Sequence, residues 1–188
     1  MWSYAERVRE QMAKNRPLNE FVAELVTGSG SNFKSPTSNL YTAVERLTPQ
    51  KTAEDLAQVF LGTRIQCAQC HNHPFDRWTM DDYYGFASFF AGVNMKRGVE
   101  GREVIVYNNN AANTVEHPVD GRKMKPKTLG GEAPDVEGQD PRKSLAQWLT
   151  SRDNEAFSQT MANVIWAHFF GRGIVEPVDD VRISNPPS

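Results

Sequence analysis

The sequence predicts a mainly α-helical protein whose helices pack around a C-x-x-C-H site, with an irregular or small-β connector between two helical blocks. Three observations predict this. Apolar residues recur at the 3.6-residue helical period in most of the chain. Helix-start residues such as Asp140-Pro141 and Thr79 stand directly ahead of several of these segments. Between residues 94 and 139 the period disappears, and Gly, Pro and Asn become frequent. The expected organisation is a helical block at 1–93, a connector or insertion at 94–139, and at 140–188 the start of a second helical block packed on the first.

Trp2, Ala5, Val8 and Met12 form the first helical stripe. Pro17 restarts a helix at its first turn, carried by Leu18, Phe21, Val22 and Leu25 and ending at Gly28. Gly28 to Asn39 reads as a loop, followed by a short helical patch through Leu40, Val44 and Leu47. Thr52 and Asp55 resemble a capping box, and the face Leu56, Val59, Phe60 and Thr63 is expected to continue unbroken to Cys67, Cys70 and His71. On such a helix these three residues, at i, i+3 and i+4, point the same way. Pro74 marks a turn, after which Thr79 and Asp82 cap a helix bearing Tyr83, Phe86, Ala87 and Phe90.

In the connector, Val104–Tyr107 and Thr114–Val115 are expected to pair across the three asparagines 108–110. Asp140-Pro141 opens a helix through Leu145, Trp148 and Leu149, and Asn154 opens the last one. The stripe of that last helix, Phe157, Met161, Val164, Ile165 and His168, is expected to face the core before Gly171 and Gly173 close it.

Composition narrows the function classes. Lys and Arg number 21 against 23 Asp and Glu, a net charge of -2 with a pI near 6.1, so there is no basic excess to hold a phosphate backbone. Nucleic acid is therefore not an expected partner. Mean hydropathy is -0.58, and the most apolar stretch, Phe86–Val93, is short and broken by Ser88, so no membrane-spanning segment is expected. The opening residues have no basic region followed by an apolar one, and the chain stops at Asn185-Pro186-Pro187-Ser188. It reads as a piece of a longer protein with its targeting signal upstream. No Walker A, G-x-G-x-x-G, nucleophile-elbow or H-E-x-x-H pattern is present.

All the thiol chemistry lies at one point. Cys67 and Cys70 are the only cysteines, and His71 follows at once. C-x-x-C-H is the attachment signature of c-type haem, in which the two thiols add to the haem vinyl groups and the imidazole becomes the proximal iron ligand. His168 is the leading candidate for the distal ligand, with Met80 and Met95 behind it. Two other readings stay open. Cys67, Cys70, His71, His73 and Asp76 form a candidate zinc or non-haem iron site of a metal-dependent enzyme. Alternatively, Cys67 and Cys70 close a local disulfide in a structural or interaction module. Electron transfer by haem c is favoured over catalysis.

Two blocks carry a resemblance. Phe60-Leu61-Gly62, the run Cys67-Ala68-Gln69-Cys70-His71-Asn72-His73-Pro74-Phe75-Asp76, Asp82-Tyr83-Tyr84 and Phe89-Phe90 resemble the cytochrome-like domain of large planctomycete-type surface proteins. Asp140-Pro141-Arg142, Leu145-Ala146-Gln147-Trp148-Leu149 and Asn163–Gly173 resemble the companion domain of unknown function in the same family. The resemblance implies a large exported protein, often with a separate cytochrome domain upstream. It also implies a periplasmic or cell-surface location, with that upstream domain or another redox protein as the electron partner.

Overall fold

The computed structural model describes residues 2–44, 46–109, 114–182 and 184–187. Among them are seven α-helices and a small three-stranded antiparallel sheet. Helices α1 (Trp2–Ala13) and α2 (Leu18–Val26) open the chain, and α3 (Asn39–Thr42) is a single turn. Helices α4 (Pro49–Leu61) and α5 (Met80–Ala87) flank the cysteine motif; α6 (Pro141–Leu149) and α7 (Glu155–Phe170) follow the connector. No helix among the described residues is long and apolar enough to cross a membrane.

The core is aromatic at its centre. Tyr41, Tyr83, Phe86, Phe89 and Phe90 are buried with Ile65, Leu145 and Leu149, and Phe86 meets Phe89, Phe90 and Trp148 edge-on. Helix α4 packs on α5 and α7, and α2 on α6, so the N-terminal and C-terminal blocks share one core.

The junction between the blocks is held by Arg142, whose side chain is 1% exposed. Its guanidinium donates to the Gly28 carbonyl at 2.8 Å, the Ser29 hydroxyl at 2.8 Å and the Asp140 carboxylate at 2.7 Å, while lying over the Tyr41 ring. A buried guanidinium is tolerated because every face finds an acceptor or a π-cloud.

Several local expectations hold. Thr79 and Asp82 form a reciprocal capping box on α5; Asp140 and Asn154 cap α6 and α7; Gly171 ends α7 in the left-handed conformation.

Others are corrected. Helix α4 starts four residues earlier than the Thr52–Asp55 capping box implies, because Thr48 accepts from the Lys51 amide and Pro49 occupies the first turn. The same helix does not continue to His71. It stops at Gly62, whose φ of +59° turns the chain, and a short 3-10 segment, Gln66–Gln69, carries Cys67, with Cys70 at its C-cap and His71 just beyond.

The sheet also differs from expectation. Strand β3 (Val104–Asn108) pairs with β2 (Val93–Arg97) and with β1 (Gly30–Ser31), not with Thr114–Val115. The turn between β2 and β3 is closed by Gly98 N–H donating to Glu103 O, and the Glu103 carboxylate accepts from Val99 N–H and Ser31 Oγ. The polar strand Val93–Arg97 gives little alternation to read, and the partner residues of β3 on β1 lie more than seventy positions away. Part of the turn expected at 108–113 lies outside the described residues.

Candidate functional site

Gly62 sets the site's position. A Cβ there would lie 2.7 Å from Thr160 Oγ1 and 2.8 Å from Val181, so the chain both turns left-handed and passes tightly against α7 and the C-terminal segment. In the 3-10 segment that follows, residues three apart eclipse. Ile65 and Ala68 are fully buried, while Cys67 and Cys70 are exposed free thiols. Tyr84 Oη donates to the Gln69 carbonyl at 2.9 Å and pins the turn to α5.

Beyond the thiols the two histidines part company. His71 is exposed, and its Nδ1 lies 2.8 Å from the Asn72 carbonyl. A carbonyl only accepts, so Nδ1 carries the proton and Nε2 keeps a free lone pair. His73 is buried: its Nε2 donates to the Arg64 carbonyl at 3.1 Å and its Nδ1 accepts from Phe75 N–H at 3.2 Å. Both ring nitrogens are thus spent on the backbone. The His73 amide also donates to the Trp78 carbonyl, closing a tight 73–78 loop. His73 thus orients the turn.

The remaining candidates are dispersed. Asp76 caps its own loop by accepting from Arg77 N–H. Met80 begins α5, where its amide donates to Asn72 Oδ1, and Met95 stands exposed on β2. Of the stripe expected to face the core, Phe157 is buried and Met161 packs partly buried against it, whereas Val164, Ile165 and His168 are exposed, His168 with its ring against Phe169. The buried face of α7 is Phe157, Thr160 and Asn163. Asn163 explains the rotation: its amide donates to Val175 and Val178 carbonyls and accepts from Ile174 and Val175 N–H, binding the folded-back tail to the helix. Val164, Ile165, Trp166, Phe169 and Phe170 are left uncovered, Phe169 by 75%. Among the described residues no group of three or more His, Cys, Asp or Glu is gathered closely enough to hold a metal ion.

His117 is buried edge-on against Tyr84, near Asp81 and Asp120. Arg64 pairs with Asp179 at 2.8 Å. Beneath the turn, Tyr83 donates to the buried Glu54 carboxylate at 2.7 Å, and burial, reinforced by that carboxylate, raises its phenol pKa well above the ordinary value.

No curated protein and no solved structure matches this chain. Residues 141–188 match PSD1, described as a protein of unknown function (DUF1553). Residues 1–95, which contain the Cys67–His71 turn and both helices flanking it, match PSCyt2, described as a protein of unknown function (DUF1549), and the chain belongs to that family.

Proposed function

We propose that the Cys67–His71 turn attaches a c-type haem and that this domain transfers single electrons within a larger exported protein. The observation that carries the reading is the His71 ring. With Nδ1 donating to a backbone carbonyl, the ring is oriented and Nε2 is the nitrogen left to ligate, the arrangement that metal-ligating histidines ordinarily have. Cys67 and Cys70 stand free and exposed on the same turn, accessible to the vinyl groups of an incoming macrocycle. These residues fit the group, because covalent haem asks of the protein only two thiols and one imidazole. Bound haem would supply one-electron chemistry at its iron; the protein's part is to anchor it through Cys67 and Cys70 and to ligate it through His71.

Zinc asks for more, since a tetrahedral site needs four donors or three with an open position. Ligation through either ring nitrogen of His73 would break a hydrogen bond that it makes to the backbone. For the distal position His168, Met80 and Met95 remain the candidates. Attachment of this kind is an extracytoplasmic maturation, so the domain acts in the periplasm or at the cell surface. Its electron partner is an upstream cytochrome domain or a separate redox protein.

The test is expression with export and haem-maturation machinery. Denatured polypeptide is expected to keep the mass of one haem and give a c-type pyridine spectrum, lost in the Cys67→Ser, Cys70→Ser variant. Colourless, properly exported protein overturns the reading. Stoichiometric zinc in it favours the metal site, and a loss of two protons in mass favours a Cys67–Cys70 disulfide.

A further inference from the structure

Helix α7 buries one side through Phe157, Thr160 and Asn163 and turns a more apolar side outward. Ala162, Ile165, Trp166, Phe169 and Phe170, at i, i+3, i+4, i+7 and i+8, form a stripe on that outer side, and all five are exposed. This spacing is the one by which a helix ordinarily faces a core. From Ala156 to Gly171 no Asp, Glu, Lys or Arg interrupts it.

The stripe carries its own complement. Its large end is Phe169 and Phe170, exposed by 75% and 66%, with the Trp166 ring 4.3 Å from that of Phe170. Its small end is Ala162, which opens onto a groove of about 650 Å³ walled in part by Ile174, Val175, Val181, Pro186 and Pro187. Ala162 and Phe170 lie about 12 Å apart along the helix, and Trp166 stands midway between them. A two-fold axis through Trp166, with the two helices antiparallel, sets each Phe170 over the other copy's Ala162 and groove. Large side chains then face small ones, the arrangement in which packed helices interlock.

Area and charge both favour a second copy as the occupant. The exposed parts of the stripe and of Ile174 amount to about 600 Å² of apolar surface, the upper end for a patch on a monomer and close to the ~800 Å² that each partner gives to a stable interface. A stripe without Asp, Glu, Lys or Arg meets no like charge when it faces its own copy. We propose that the chain forms a two-fold dimer through the outer side of α7, with Phe170 of each copy seated beside Ala162 of the other. The proposal does not depend on haem attachment, because no residue it uses belongs to the Cys67–His71 turn.

Sedimentation equilibrium of the full chain under reducing conditions tests it. The mass is expected to rise with concentration to twice the 21.2 kDa of one chain, with a dissociation constant of about 50 μM or tighter. Trp166→Glu, which opposes two carboxylates at the axis, and Phe170→Ser, which removes the seated ring, should each weaken the dimer by about tenfold or more while far-UV circular dichroism stays unchanged. Ala162→Trp should weaken it as well, because the larger ring fills the space that Phe170 enters. Met12→Ser, at a residue on α1 that is 76% exposed, should leave it intact. A monomer up to about 200 μM overturns the proposal, and co-sedimentation of that monomer with phosphatidylcholine–phosphatidylglycerol vesicles would assign the face to lipid. A dimer indifferent to Trp166→Glu and Phe170→Ser, or strengthened by Ala162→Trp as unspecific apolar association would be, overturns it too.

Discussion

His71 and His73 are separated by one residue and are bound into the protein very differently. The ring of His73 replaces two hydrogen bonds that the turn would otherwise lack, one to Arg64 O and one from Phe75 N–H, in a buried setting where an unmet partner costs its full desolvation. His71 makes one contact with its neighbour's carbonyl at the surface. His73→Ala is therefore expected to lower the stability of the metal-free protein by about 1–3 kcal/mol. His71→Ala should stay within about 0.5 kcal/mol. Urea unfolding of the two variants measures the difference, and equal losses would contradict the division of roles. The C-x-x-C-H run singles out His71 as the ligand, but the bonds by which His73 holds Arg64 and Phe75 come from the fold of the turn.

At the scale of an element, α5 shows how a cap gains a second duty. Asp82 Oδ2 accepts from the Thr79 amide at 3.0 Å and hydroxyl at 2.8 Å, while Oδ1 accepts from Lys127 Nζ at 2.8 Å, tying the connector to the helix start. Burial alone would raise the Asp82 pKa; Lys127 and the Thr79 donors outweigh it and hold the carboxyl below its ordinary 3.8. A depressed folded value means that this stabilisation is full above the unfolded pKa near 4 and is lost as pH falls through the folded value. Asp82→Asn is expected to cost about 1–2 kcal/mol at pH 7. The gap between variant and parent should close in acid below the depressed value, and denaturant titrations at neutral and acidic pH check both parts. The sequence spacing of Thr79 and Asp82 gave the cap, but Lys127 lies 45 residues on and gave no signal.

For the whole molecule, the decisive contact is Arg142. It joins the block containing α6 and α7 to the loop after α2 through acceptors more than a hundred residues away, Gly28 O and Ser29 Oγ. Removing a buried charge's partner leaves the other uncompensated, so Arg142→Met is expected to cost about 3–5 kcal/mol by stranding Asp140 and the Gly28 carbonyl. Because the two blocks share one core, unfolding should remain a single transition in this variant, followed at once by tryptophan fluorescence and circular dichroism. Separate transitions for the two probes would mean that the blocks fold independently.

What the sequence by itself determined is what short-range physics encodes. The helical class, the caps of α5, α6 and α7, the left-handed stop at Gly171 and the concentration of thiol chemistry at Cys67–His71 all rest on residues within one or two turns of each other. The tertiary structure decided the rest. Gly62 ends α4 where the apolar period invites continuation, because Thr160 and Val181 press against it from the far end of the chain. Asn163 turns α7 to bury a polar face, because the returning tail satisfies all its hydrogen bonds at once. A surface cleft brings Asp76 and Trp78 to Trp148 and Glu155 from the other side of the connector. Periodicity reports which side of an element is apolar; only packing reports what arrives to cover it.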